Sequence, residues 1–383
     1  MKFSIIPGRI TPASFWRRSE GMKAFFLRHK KLHIWLLAEL LLLTVFFAVQ
    51  SNRVWMTALT QRVSNPVRRA LGAVCYRVSF SVAEVLCVFL VGFIAVYLLA
   101  GLIAVVRAKG RRKQVLYSAL LGAACIGLTI WGAICWLWGV QYYADGFQVQ
   151  SGIYAEEVAL EDLDAVTQFF ADRLAETADQ VARDEDGFFA VPREDILQES
   201  TQVYRVVSEQ FPFLSFQDQP PKAIHFSSLM SMLDFTGVYC PLTGECNVNV
   251  DSPAVFLPAT VAHELAHQRG IASEQECNFI SILASTTCGL TDYAYSGWLL
   301  GYVHLGNALY SADRDRWQEI YAGLPHAVRA DLLHNNAYWA QYEDAPAKKV
   351  ANKVYDGLLK TYGDKNGMRS YGTVVDLLVV YYK

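Results

Sequence analysis

The segment VAHELAHQRGIASEQECNF, residues 261–279, carries His263, Glu264 and His267 in an HExxH pattern. On a helix, residues four apart lie one above the other on a single face. Two imidazoles in that relation can bind one Zn²⁺. Glu264, beside the first histidine, is placed to act as general base on a water at that cation. Apolar Val261, Ala262, Leu265 and Ala266 flank the pair, as in a buried helix. Zinc needs a third protein donor. Gly270, three residues past His267, can end the helix in a left-handed turn. The chain then offers Glu274 first and Glu276 two residues later. Glu274 is the preferred third ligand and Glu276 the alternative.

The run Glu274-Gln275-Glu276-Cys277-Asn278, or ExxCN, resembles the ExxA(D/N) helix that supplies the glutamate ligand in gluzincin-type metalloproteases. The preceding residues also fit the metzincin pattern up to its last histidine, where Ser273 stands. Serine is a poor zinc ligand, which favours Glu274. Peptide hydrolysis also wants a donor for the developing oxyanion, and Tyr295 and His304 are the downstream candidates. Asn278 or Asp292 can orient a zinc-bound imidazole from its far nitrogen.

The elements that must position these residues divide the chain in two. Its 383 residues are 53% hydrophobic, with a mean hydropathy of +0.20, and the apolar excess is N-terminal. Runs at about 33–50, 80–106 and 115–138 are each long enough to cross a bilayer. The third ends in Trp131, Trp136, Trp138, Tyr142 and Tyr143, an interfacial aromatic belt. Glu39 and Glu84 are expected to face a helix bundle and not lipid. Residues 1–32 hold eight Lys or Arg and residues 107–113 five, against five arginines in residues 51–79. Three spans put the first two segments on one side, so that side is cytoplasmic. Residues 1–139 carry 18 basic and 3 acidic side chains, and residues 140–383 carry 16 and 33. A basic anchor (1–139) and an acidic extracytoplasmic domain (140–383) follow. Nothing on that domain forms a basic stripe for nucleic acid.

The outer domain is expected to be α+β and mainly α. Residues 160–183 and 193–210 read as helices. Residues 223–227 and 244–251 read as strands, with the second as the sheet edge that pairs with an extended peptide. Between them, residues 235–244 read as a loop walling the cleft. The closing stretch TVVDLLVVYY is too short to span and reads as a core helix. Cys240, Cys246, Cys277 and Cys288 lie in this domain, and four cysteines on an oxidising side allow three pairings.

The segments TGVYCPLTGECNVNV, ATVAHELAHQRGIASEQECNFIS, YSGWLLGY and SYGTVVDLL resemble a bacterial family of membrane-anchored HExxH proteins, domain of unknown function 3810. The resemblance implies a zincin-like, zinc-dependent peptidase fold behind a three-helix transmembrane anchor in a bacterial cell membrane, with no established substrate. Cys246 and Cys277 stand where the family pattern reads Glu-Ala-Asn, so comparison with that pattern implies a bond between them. The expected activity is hydrolysis of a peptide or envelope protein. The alternative is a catalytically silent zincin-fold sensor or binding protein of the envelope. Cleavage within the bilayer does not suit a motif flanked by Pro258 and Gln268-Arg269.

Overall fold

A computed structural model describes residues 25–361 and 372–383, so most of the basic 1–32 segment, together with Tyr362, Ser370 and Tyr371, lies outside the described residues. The chain divides into two compact units. The smaller takes the chain up to Ala48 and then Leu90–Cys135. The larger takes Val49–Phe89 and Trp136–Lys383.

Among the described residues, three helices are long and apolar enough to cross a membrane: α1 (Lys30–Val49), α4 (Val82–Arg107) and α5 (Arg112–Leu137). Between α1 and α4 come α2 (Arg53–Leu59), a π-helical turn at Thr60–Ser64, and α3 (Asn65–Cys75). Within the smaller unit, the Glu39 carboxylate accepts from Thr129 Oγ1 on α5 at 2.7 Å and from Trp35 at 3.1 Å. That is the helix-facing arrangement expected of an acid in an apolar run. Glu84 behaves differently. It lies in the larger unit, and its carboxylate accepts the backbone N–H groups of His225 and Phe226.

The larger unit continues with α6 (Phe147–Ser151), α7 (Leu160–Thr177), α8 (Arg193–Glu199), α9 (Arg205–Gln210), β1 (Lys222–Ala223), α10 (Ser227–Met232), β2 (Gly237–Cys240), β3 (Glu245–Val248) and α11 (Leu257–Gln268). It ends with α12 (Glu274–Thr287), α13 (Thr291–Ala312), α14 (Arg314–Gly323), α15 (His326–Ala340), α16 (Pro346–Thr361) and α17 (Gly372–Tyr382). The apolar stripe of α7, with Leu163, Val166, Phe170 and Leu174, packs against α13. Val374, Val375, Leu377, Leu378 and Val379 bury α17 in the same core, as its length implies. The expected 193–210 helix breaks into α8 and α9 around a 3₁₀ turn.

The sheet corrects the sequence reading. Its order is β1-β3-β2, with β1 parallel and β2 antiparallel to β3. Register pairs Gly237 with Val248 and Tyr239 with Cys246. β3 is therefore the central strand and cannot add a peptide. The edges are β1 and β2, and β2 lies inside the stretch expected to be a loop. β3 is buried throughout because the segment between α1 and α4 folds over it. Glu245 accepts from the N–H groups of Val82 and Ala83, and Lys222 Nζ reaches it at 2.5 Å. Ser81 bonds Asn247, and Tyr76 OH takes the Cys246 N–H. A buried ion pair of this kind tolerates loss of neither partner.

Candidate metal centre

α11 buries ten of its twelve residues, so its direction is fixed by packing on α12, α13, β2 and β3. His263 and His267 leave it on one face, with their Nε2 atoms 3.1 Å apart. The helix ends where expected. Gly270 has φ +101°, and the N–H of Ile271 returns to the Ala266 carbonyl. Ser273, at the position where a metzincin carries histidine, caps α12 by accepting the Glu276 N–H. This reversal brings the Glu274 carboxylate to 3.1 Å from His263 Nε2 and 3.5 Å from His267 Nε2.

The far nitrogens of both rings are engaged. His263 Nδ1 meets Asn278 Oδ1 at 2.8 Å, and His267 Nδ1 meets the Ile271 carbonyl at 2.8 Å. These acceptors hold the protons on Nδ1, so both Nε2 lone pairs point inward with the carboxylate. A tetrahedral Zn²⁺ with N and O donors at about 2.0–2.2 Å requires donor separations of about 3.3–3.5 Å. The spacings of 3.1, 3.1 and 3.5 Å come within about 0.2 Å of that requirement. The two histidines also form a group with Cys277, all within 4.8 Å. Cys277 Sγ lies on the other side of His267, 3.3 Å from its Nδ1. Burial and the charges of Glu274 and Glu276 push its thiol well up, so it is a neutral neighbour.

Glu264 stands between α11 and β2, 4% exposed. Burial, aided by Glu274 and opposed by His263, pushes its carboxyl up to about 8. The Tyr239 backbone N–H reaches it from β2. Gly237 makes the room: a Cβ there would stand 2.5 Å from Glu264 Oε1. Glu264, His263, His267 and Glu274 all line a cleft of about 520 Å³, walled by β2, Trp138 and Trp339. The Trp138 ring is edge-on to His267 at 5.5 Å.

Other sequence candidates lie elsewhere. Glu276 accepts the N–H groups of Phe147 and Gln148 at 2.8 and 3.1 Å, capping α6. Its carboxylate is thus turned away from the histidines. Tyr295 is fully buried outside the cleft, its hydroxyl 2.5 Å from Asp331 and its ring stacked on Phe189. His304 lines a different cavity, with Glu157 and Asp376. Burial and the nearby His263 push it down to about 4, so it is neutral at pH 7. Asp292 lies near Glu199 and Asp195, not at a histidine. No cysteine forms a disulfide. Cys246 approaches the Glu264 carbonyl and Cys277 the Ile271 carbonyl, so the two thiols point to different parts of α11 and its turn.

Sequence reasoning missed Arg68, on α3 in the segment between the first two apolar helices. It is 2% exposed, bonds Tyr239 OH at 3.0 Å, and lies 3.5 Å from the His267 carbonyl. Its guanidinium also faces the rings of Trp138 and Tyr239. Apart from Asn65, one turn before it, its partners are 70 or more residues away along the chain, so no local pattern marks its role at the cleft.

Comparison with known proteins adds a family and no activity. No curated protein matches the chain, and no solved structure does. One family model, described as "Protein of unknown function (DUF3810)", matches residues 60–379, well over half of the sequence and all of the elements around the histidines. The chain belongs to this family.

Proposed function

We propose that the chain is a membrane-anchored zinc peptidase whose larger unit works outside the cytoplasm. The observation that carries this reading is the convergence of His263 Nε2, His267 Nε2 and the Glu274 carboxylate within 3.1–3.5 Å, in the cleft that also holds Glu264. Bound there, zinc would acidify a water and polarise a carbonyl. Asn278 and the Ile271 carbonyl keep the two imidazoles oriented. The charge of a bound zinc would offset the burial that raises the Glu264 carboxyl, so that Glu264 is ionised, takes the proton of the attacking water and hands it to the leaving amine. The edge strand β2 takes the substrate role expected of β3. It is the strand that lines the cleft, and Val238 on it is 42% exposed. An extended peptide added along that edge would be held through its backbone, whatever its side chains.

The unit division supports this sidedness: residues 49–89 and 136–383 fold together, as they would on one side of a membrane. Three crossings would then leave the N-terminus and the 108–111 turn on the opposite side. Basic residues favour the same assignment, thirteen against five.

The test is metal content of the purified full-length protein, combined with digestion of an unfolded protein substrate by wild type and Glu264→Gln. One equivalent of zinc in both, with cleavage by wild type alone, is the expected result. Wild type that carries zinc and cleaves no peptide would remove the peptidase reading.

A further inference from the structure

A second polar cavity in the larger unit, of about 270 Å³, is lined by Thr60, Gln61, Arg69, Asp145 and Arg269. Most of its charge is already matched. Asp145 pairs with Arg53 at 2.6 Å. Arg269 gives its donors to the carbonyls of Leu214 and Leu265 and to Asp218, and contributes only its field. Arg69 is the exception. Its guanidinium lies over the Phe216 ring at 4.9 Å, and among the described residues no carboxylate or carbonyl takes its N–H groups. The side chain is exposed, yet partial burial of its guanidinium and the like charges of Arg68 and Arg269 weaken its hold on its proton. An added anion would relieve that repulsion.

The second observation is independent. Thr60 is 6% exposed, yet its hydroxyl has no hydrogen-bond partner. A buried hydroxyl left unmade costs about 1–3 kcal/mol. Thr60 opens the π-helical turn Thr60–Ser64, and such turns recur at functional sites. We infer that this cavity binds a phosphate-type oxyanion, held by the Arg69 guanidinium together with the Thr60 hydroxyl and the Gln61 amide. The planar fork of arginine matches two oxygens of such a group, and the hydroxyl and amide can donate to a third. Thr60, Gln61 and Arg69 follow α1 in sequence, and Gln141 and Asp145, which also line the cavity, follow α5. The phosphate of a lipid headgroup is therefore one source and phosphate in solution the other.

The full-length protein, in a neutral maltoside detergent, is titrated at constant ionic strength with inorganic phosphate and, separately, with short-chain phosphatidic acid. Sodium chloride is the control, and the thermal midpoint is read. Either anion is expected to raise the wild-type midpoint by several degrees. Arg69→Gln should weaken that response about tenfold or more in concentration, and Thr60→Val by a smaller factor. Arg62→Gln, which removes an exposed arginine from the same turn, should leave it unchanged. His263→Ala should keep it too, which separates this cavity from the histidine cleft. A response to phosphate assigns a soluble oxyanion, and a response to phosphatidic acid alone assigns the headgroup. No rise above chloride with either anion, or an Arg69→Gln response equal to wild type, overturns the inference.

Discussion

Two buried polar clusters in the larger unit make opposite uses of similar groups. One is His263, His267, Glu274 and Glu264. The other is Arg183, Asp331 and Tyr295. In the second, Asp331 accepts from Arg183 at 3.0 Å, from Tyr295 at 2.5 Å and from the Phe189 N–H at 2.9 Å. Its charge is met within the protein, and it ties α13 and α15 to the 183–189 loop. In the first, the outer nitrogens of both rings are satisfied while both Nε2 atoms face one another and an acid. Two ring nitrogens at 3.1 Å with protons held elsewhere repel unless a cation or proton lies between them. Chemistry belongs to the cluster with valence left over, and stability to the one that is closed.

The sharpest way to break this contrast is Glu264→Gln. A general base is worth about 10²–10⁴ in rate. On the proposed reading, hydrolysis falls by that order while zinc content stays at the wild-type level. His263→Ala and Glu274→Ala should instead lose the metal. Equal zinc in wild type and His263→Ala, by elemental analysis, would sink the ligand assignment.

Asp331→Ala is the matching experiment on the closed cluster. Removing one partner of a buried pair strands Arg183 and costs about 3–5 kcal/mol. The expected result is a lower unfolding midpoint with zinc content per folded molecule unchanged. Loss of zinc from protein that is still folded would mean the two clusters are one site. Asn278→Ala is expected to be milder, about 10–100-fold in metal affinity, because it frees the His263 ring without removing a ligand. Competition with a chelator reads that change, and no change would deny Asn278 its orienting role.

What the sequence made legible follows the same divide. The route from His263 to Glu274 is twelve residues long, and each step has a local rule: a one-turn histidine spacing, a glycine at positive φ, a serine cap. Glu274 and Glu276 sit two residues apart on α12, about 200° around the helix, so only one can face the histidines. The sequence named both, and the fold sends Glu276 to the N-terminus of α6. Tyr295 and His304 are nine residues apart on α13, about 180° around, so a shared role was never open to them. The three apolar helices were legible because length and hydropathy alone mark them.

The sheet was harder. β2 is four residues with Gly237 at one end and Pro241 beyond the other, a composition that reads as a loop until β3 pairs with it. Arg68 and Glu84 act on the larger unit through partners more than a hundred residues away, such as Tyr239 and His225. By sequence, Arg68 counts only as one of five loop arginines and Glu84 only as an acid facing a helix bundle. The cysteine pairing failed for a similar reason, because proximity of each thiol to α11 does not make the two meet.

A single hydroxyl probes the closed cluster most finely. Tyr295→Phe removes one of three hydrogen bonds to Asp331 and leaves the stacked ring in place. Arg183 and the Phe189 N–H still hold the carboxylate, so no buried charge is stranded. The cost should be that of one bond to a charged group, about 1.5–3 kcal/mol. Peptide hydrolysis should stay within about twofold of wild type, because the hydroxyl lies outside the cleft and stabilises no oxyanion. A fall of about 10²-fold or more in kcat at unchanged zinc content would reverse this placement. It would show that Tyr295 leaves Asp331 for the cleft when substrate binds.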